Sequence, residues 1–172
     1  MKQIKAHIAV SLDGFIATSD NELEWLPNEI KSILNEQYAI ADSLLMGANT
    51  YHYIFDHWGG WPYTNKQTFV VSHHNTNVTP NCNVRFLING QLEEINKLKH
   101  KTDLLVVGGG ILITTLIKAK LIDNITIYTI PKLLGKGIKL FQETPELNLK
   151  FMESNSLECG IVYSRYNFIS VQ

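Results

Sequence analysis

The stretch from Asp103 to Ala119, DLLVVGGGILITTLIKA, decides how this chain is read. Asp103 to Val107 runs apolar and partly β-branched, as a strand buried on both faces does. Gly108, Gly109 and Gly110 follow, and then Ile111, Leu112, Thr115, Leu116 and Ala119 recur at helical spacing. A buried strand passing through glycines into a helix start gathers bare N–H groups and the positive end of a helix at one spot. That is the physics of a phosphate or pyrophosphate cradle. The same residues also suit a tight strand-to-helix turn that needs glycine only for its φ angles. The spacing is not that of the usual dinucleotide fingerprint, because the glycines run together and no acidic residue follows at the ribose distance.

Outward from this stretch the pattern alternates. Lys2 to Leu12 has Ile4, Ala6, Ile8, Val10 and Leu12 apolar at every second position, which predicts a strand ending in a turn at Asp13-Gly14. Asn28 is placed to cap a helix carrying Ile30, Ile33, Leu34, Tyr38 and Ala41. Asp42 to Met46 predicts a short buried strand closed by Gly47, after which Asn49 or Thr50 caps a helix through Phe55. Gln67 to Ser72 and Val84 to Ile88 are further strands, and Gln91 to Lys101 is helical. Asn124 to Ile130 is a strand, followed by a loop at Leu134 to Gly137. Leu147 to Glu153 and Gly160 to Phe168 predict an antiparallel hairpin at a sheet edge. Strands and helices that alternate until about Ile130 and then give way to consecutive strands predict an α/β fold. Its sheet is mostly parallel, helices cover both faces, and one domain spans residues 1–172.

Composition narrows the function. With 172 residues, 45% hydrophobic content and a formal charge of -1, the chain lacks the basic excess of a nucleic-acid binder. No apolar run is long enough to span a bilayer, and no signal-peptide core follows Lys2 and Lys5. Cys82 and Cys159 lie far apart without metal-ligand spacing, so they read as free thiols of a cytoplasmic protein, and no metal site is expected.

Five stretches taken together resemble the dihydrofolate reductase superfamily, most closely its branch related to the reductase domain of bacterial riboflavin biosynthesis. They are Ser11 to Ala17, Asp42 to Tyr51, Phe69 to Ser72, Val106 to Gly110 and Pro131 to Phe141, in the family's order and across nearly the whole chain. The resemblance implies a three-layer αβα fold with a mixed sheet of about eight strands and a reversed C-terminal hairpin. It implies a reductase that uses NADPH, acting on a pterin-like or ribosylaminopyrimidine substrate. The activity most often attached to this branch is reduction of 5-amino-6-(5-phosphoribosylamino)uracil. A folate-type reductase and a nucleotide-binding module without turnover are the alternatives. Members of the branch commonly form homodimers. No His/Cys cluster with zinc-deaminase spacing accompanies the reductase pattern.

Carried over residue by residue, the resemblance puts Gly108, Gly109 and Gly110 at the pyrophosphate, with a cis peptide between the first two and the N–H groups of Gly110, Ile111 and Leu112 facing the ligand. Gly47, Ala48, Asn49 and Thr50 match the helix start that meets the second phosphate, with Thr50 as a hydroxyl donor. Ala48 departs from the arginine or lysine usual there, a cation placed for the 2′-phosphate, and alanine cannot replace it. Ser72, His73 and His74 fall where the family holds the adenosine ribose. A histidine there partly replaces the missing cation or is simply solvated, so NADH stands beside NADPH as the cofactor. Ala9 and Ile16 match positions bordering the nicotinamide. Trp25 and Glu29 are the substrate-side candidates: Glu29 matches the acidic residue that supports protonation in folate reductases, and an apolar pocket would raise its pKa toward neutrality. An acid in a helix's first turn is equally explained by the helix dipole. Lys136 is a candidate anion contact. The loop from Trp58 to Tyr63 stacks on a heterocycle, forms a dimer surface or packs on the core.

Overall fold

The computed structural model describes residues 2–73, 83–88, 92–157 and 159–169. The elements run β1 (Ile4–Ser11), β2 (Phe15–Ala17), α1 (Asn28–Ile40), β3 (Ser43–Gly47), α2 (Ala48–His57), β4 (Gln67–Ser72), β5 (Val84–Ile88), α3 (Leu92–Lys99), β6 (Leu104–Gly108), α4 (Gly110–Lys118), β7 (Asn124–Ile130), β8 (Ile138–Lys139), β9 (Leu149–Ser156) and β10 (Val162–Phe168). Eight strands form one sheet in the order β5-β4-β3-β6-β1-β7-β10-β9. The pairings from β5 to β7 are parallel, and β10 then returns antiparallel to β7 with β9 antiparallel at the edge. This is the mixed, mostly parallel sheet with a reversed C-terminal hairpin that the sequence predicts.

Alternation within each strand builds two cores. On one face Ile4, Ala6, Ile8 and Val10 of β1 join Leu104 and Val106 of β6 beneath α3 and α4, with Ile95, Ile113 and Leu116 inserted from the helices. On the other face Ala9 joins Leu105 and Val107 beneath α1 and α2, against Ile30, Leu34, Tyr38, Tyr51 and Ile54. A parallel sheet buried on both sides needs apolar residues at consecutive positions, which is why β6 reads as an unbroken apolar run. Leu116 of α4 is fully buried. Leu116→Ala is expected to lower stability by about 2–5 kcal/mol, measured by urea unfolding.

Three local expectations are corrected. The residue capping α1 is Pro27, in extended backbone, and Asn28 is the first helical residue. The cap of α2 is Gly47, with Asn49 and Thr50 already inside the first turn. Both segments leave their strands or loops in extended backbone and coil at once, so the preceding residue takes the cap position. The third correction is the pairing of β2 with β8 in a separate two-stranded sheet, where a turn and a loop were expected.

Candidate functional site

β3 and β6 are parallel neighbours, and each turns directly into a helix at its carboxyl end. α2 and α4 therefore start side by side. Neither start has a side-chain cap bond, Gly47 and Gly109 being the cap residues. The first N–H groups of both helices lack intrahelical acceptors and point past the strand ends. An anion placed there meets two sets of donors and two positive helix ends.

The glycines are required by space as well as by φ. Gly109 has φ +99°, a region that side chains disfavour. A Cβ on Gly108 would stand 3.3 Å from Thr50 Cγ2, and one on Gly110 would stand 2.7 Å from the carbonyl oxygen of Lys139. Thr50 thus sits directly against the glycine run. The cis peptide expected between Gly108 and Gly109 is absent, since no peptide bond among the described residues is cis. The turn is made by the positive φ of Gly109.

These elements line a cleft of about 460 Å³ at the carboxyl ends of the strands. It gathers Ala9, Ile16, Gly47, Ala48, Asn49, Thr50, Ser72, His73, Gly108, Gly109, Gly110, Ile111 and Leu112, all the described cofactor-side candidates of the resemblance. The substrate-side candidates Trp25 and Glu29 are not part of its lining. Trp25 is buried in the α1-side core, its indole N–H without a partner among the described residues, and Glu29 is exposed on the first turn of α1. Lys136 is likewise exposed and outside the cleft lining. His74 lies outside the described residues. In the aromatic loop, Trp61 is buried against Tyr51 and Tyr63, and the Tyr63 hydroxyl donates to Asn35 Oδ1 at 2.7 Å, so its inner half packs on the core.

The cleft extends beyond the candidates to His7, Tyr38, Tyr53, Leu26 and Leu34. The Tyr38 hydroxyl donates to the carbonyl of Val107 at 3.3 Å, and burial pushes its pKa up, so it stays neutral. His7 Nδ1 lies 3.3 Å from the Tyr128 hydroxyl. Burial, with help from the charges of Arg165 and Lys5, brings its pKa down to about 4. His7 escaped the sequence reading because a polar residue alternating with Ile4, Ala6 and Ile8 looks solvent-facing. The signal was the parallel sheet itself, which places such a residue under the opposite helical layer.

Asp13 joins two loops near the β2–β8 pair. It accepts from the Ser11 hydroxyl at 2.6 Å, from the Leu134 N–H at 3.1 Å and from the Gly135 N–H at 2.7 Å, tying the turn after β1 to the loop before β8. The Ser11 hydroxyl in the first place, and these amides, hold its carboxyl below the usual aspartate range against a desolvation that opposes them. A depressed carboxyl pKa contributes stability above the ordinary aspartate range, and that contribution is lost as pH falls through the lowered value. Asp13→Asn is expected to speed amide exchange at Leu134 and Gly135. In the parent chain the same loosening is expected only on acidification below the ordinary aspartate range.

Among the described residues no helix is long and apolar enough to cross a membrane, and no cluster of metal-ligating side chains is found. Comparison with known proteins agrees with this architecture. The chain is 29% identical to Bacillus subtilis YyaP over 97% of its length and 95% of that protein. It is 31% identical to Bacillus subtilis YwjB over 84% of its length and 86% of that protein. A solved structure from Shewanella sp. PV-4, named for riboflavin biosynthesis, superposes with a TM-score of 0.80 at 27% identity, covering 97% of this chain and 99% of that one. Acinetobacter baumannii RibD gives 0.78 at 17% identity, with 98% of this chain covered and 58% of that longer chain. Dihydrofolate reductase from Enterococcus faecalis, solved with NADP(H), gives 0.69 at 19% identity over 96% of each chain, a likeness of fold. With the model of the RibD C-terminal domain matching residues 2–163, this chain belongs to the RibD C-terminal domain family.

Proposed function

We propose that this protein is a reductase that binds a reduced nicotinamide dinucleotide, NADPH or NADH, across the strand ends and reduces a ribosylaminopyrimidine or pterin-like heterocycle. 5-Amino-6-(5-phosphoribosylamino)uracil is the first candidate substrate and dihydrofolate the second. The observation that carries this reading is the pair of uncapped helix starts meeting at Gly108, Gly109 and Gly110, a space that a Cβ would obstruct. When bound there, the dinucleotide supplies the hydride.

The chain's own contribution is placement. The N–H groups at Gly110, Ile111 and Leu112, together with Thr50, hold the diphosphate. Ser72 and His73 stand toward the adenosine end. Ala9 and Ile16 border the ring end, where Leu26, Leu34 and Tyr38 give an apolar wall for a planar heterocycle. Exclusion of water from such a wall strengthens every polar contact made inside it.

Titration with NADPH and with NADH, followed by thermal unfolding, tests the reading. A rise of several degrees with at least one cofactor at millimolar concentration is expected, and no rise with either overturns it. Oxidation of the bound cofactor by each candidate substrate then separates the two heterocycles, and a chain that binds cofactor yet oxidises it with neither is a binding module.

Self-association forms part of the proposal. The edge strand β9 is exposed along nearly its whole length, with Phe151 and Met152 on its opposite faces. An uncovered apolar edge favours pairing with a second copy. A homodimer is expected by light scattering, and Phe151→Lys is expected to shift it toward monomer.

A further inference from the structure

We propose that His7 is the residue that supplies the proton accompanying reduction, acting as a neutral relay between the substrate and the Tyr128 hydroxyl. This rests on the reductase reading above but concerns a different part of the cleft, the end beyond Ala9 and away from the glycine cradle. Saturating a C=O or C=N bond takes a hydride on carbon and a proton on the heteroatom. Among the described residues, the cleft lining contains no aspartate, glutamate, lysine, arginine or cysteine. Its titratable side chains are His7, Tyr38, Tyr53 and His73. One of these is committed elsewhere, since Tyr38 donates to the carbonyl of Val107, and Tyr53, stacked on His57 and accepting from the N–H of Leu23, stands on α2, which follows β3 and not β1. His73 follows β4, on the far side of β3 and β6 from β1. His7 remains, on β1 two residues before Ala9.

Its surroundings fit a relay. His7 also lines a second, more polar recess of about 670 Å³, which includes Gln3, Lys5, Asp103, Glu153 and Arg165. It stands between an apolar cleft and a more polar surface recess. Tyr128 is buried in the core at the register position beside Ala9, burial raises its pKa so that the hydroxyl is neutral, and the relay takes that hydroxyl as the donor to Nδ1. That fixes the proton of the neutral ring on Nε2. The charged groups near His7 are Lys5 on its own strand and Arg165 on β10, the latter paired with Glu153 of β9. Burial first, and then both cations, oppose imidazolium, so the ring works in its neutral form, as a neutral histidine does in triosephosphate isomerase. In the step, the carbon of the C=O or C=N bond receives the hydride of the reduced nicotinamide. The heteroatom takes the Nε2 proton as Nδ1 takes the hydroxyl proton of Tyr128; Nδ1 then returns that proton to the phenolate while Nε2 takes one from solvent, so both groups end as they began. The substrate gains two electrons and the nicotinamide loses them, with one proton drawn from water.

The first test needs no turnover. In the ¹⁵N-labelled protein, the His7 ring is expected to be a neutral Nε2–H tautomer at pH 7. With NADPH present, its signals are expected to move on addition of 5-amino-6-(5-phosphoribosylamino)uracil or dihydrofolate, while His57 and His100 stay in place. A ring unmoved by both heterocycles, or protonated on Nδ1, overturns the proposal. Amide shifts at Gly108 to Gly110 report cofactor binding in the same spectra, so failure of the reductase reading is seen separately. The second test is kinetic, with whichever heterocycle is turned over. His7→Leu is expected to lower kcat by about a hundredfold and Tyr128→Phe by about tenfold, each with cofactor Kd within twofold of the parent and a larger solvent isotope effect. His7→Leu with kcat within twofold of the parent overturns the relay. A His7→Leu chain that unfolds leaves Tyr128→Phe and the spectra to decide.

Discussion

Gly110→Ala is expected to lose at least tenfold in cofactor affinity and to be less stable by about 1–3 kcal/mol, the usual cost of overpacking. The added Cβ would lie 2.7 Å from the carbonyl oxygen of Lys139, 3.0 Å from that of Leu140 and 3.4 Å from Ile16 Cδ1. Two of these neighbours are backbone atoms and cannot rotate away. The start of α4 must shift instead, carrying the N–H groups of Gly110, Ile111 and Leu112 off their positions. A loss of 1.4 kcal/mol in those contacts is already tenfold. Gly47→Ala provides the contrast. Gly47 has φ -77°, and nothing lies within 4 Å of its added Cβ. The methyl would occupy only the space intended for the ligand, so affinity is expected to fall while unfolding is unchanged. Fluorescence titration and urea unfolding of the two variants separate these outcomes. Equal stability for both would show that the α4 start yields freely.

Ala48→Arg is expected to shift cofactor preference toward NADPH by about tenfold or more, since a hydrogen bond to a charged group contributes about 1.5–3 kcal/mol. No lysine or arginine lines the cleft among the described residues, and none occurs at positions 74–82 or 89–91. Arg85, on β5, is held by Glu94. A 2′-phosphate therefore meets the His73 imidazole at best, and the parent is expected to bind NADH and NADPH with affinities within about tenfold of each other at pH 8. The gain in Ala48→Arg is expected to shrink in high salt, as screening requires. A parent that already prefers NADPH a hundredfold would place an unrecognised cation at the adenosine end.

The strands under two helical layers were readable because burial on both faces writes itself into every position. Gln67 to Ser72, Val84 to Ile88 and Asn124 to Ile130 have the boundaries their sequences predict. β8 has two residues and β2 three, too few for any periodicity, and their pairing is set by Asp13 holding two distant loops together. The cleft's glycine-lined side was legible because glycine and helix starts are local signals. Its other side was not, because it depends on which way a helix faces. α1 turns Ile30, Leu34 and Tyr38 inward, which leaves Glu29 outward although its distance from Pro27 matches the expected arrangement. His7 was hidden for the converse reason: its neighbours in sequence say surface, and its neighbours in space are α1 and β7.

The place of β1 in the sheet governs how the chain can be made. β1 is made before the other strands of this sheet, yet it lies between β6 and β7, pairing Ile4 with Leu104 and Lys5 with Asn124. Its partners follow roughly a hundred residues later, a long-range closure of the kind that slows folding. β3, β4 and β5 meet in chain order and can pair much earlier. Meanwhile the apolar residues Ile4, Ala6, Ile8 and Val10 wait uncovered, a hazard for aggregation during synthesis. The strand that carries His7 and Ala9 is thus among the last to be sealed, so the part of the cleft that it lines takes shape late.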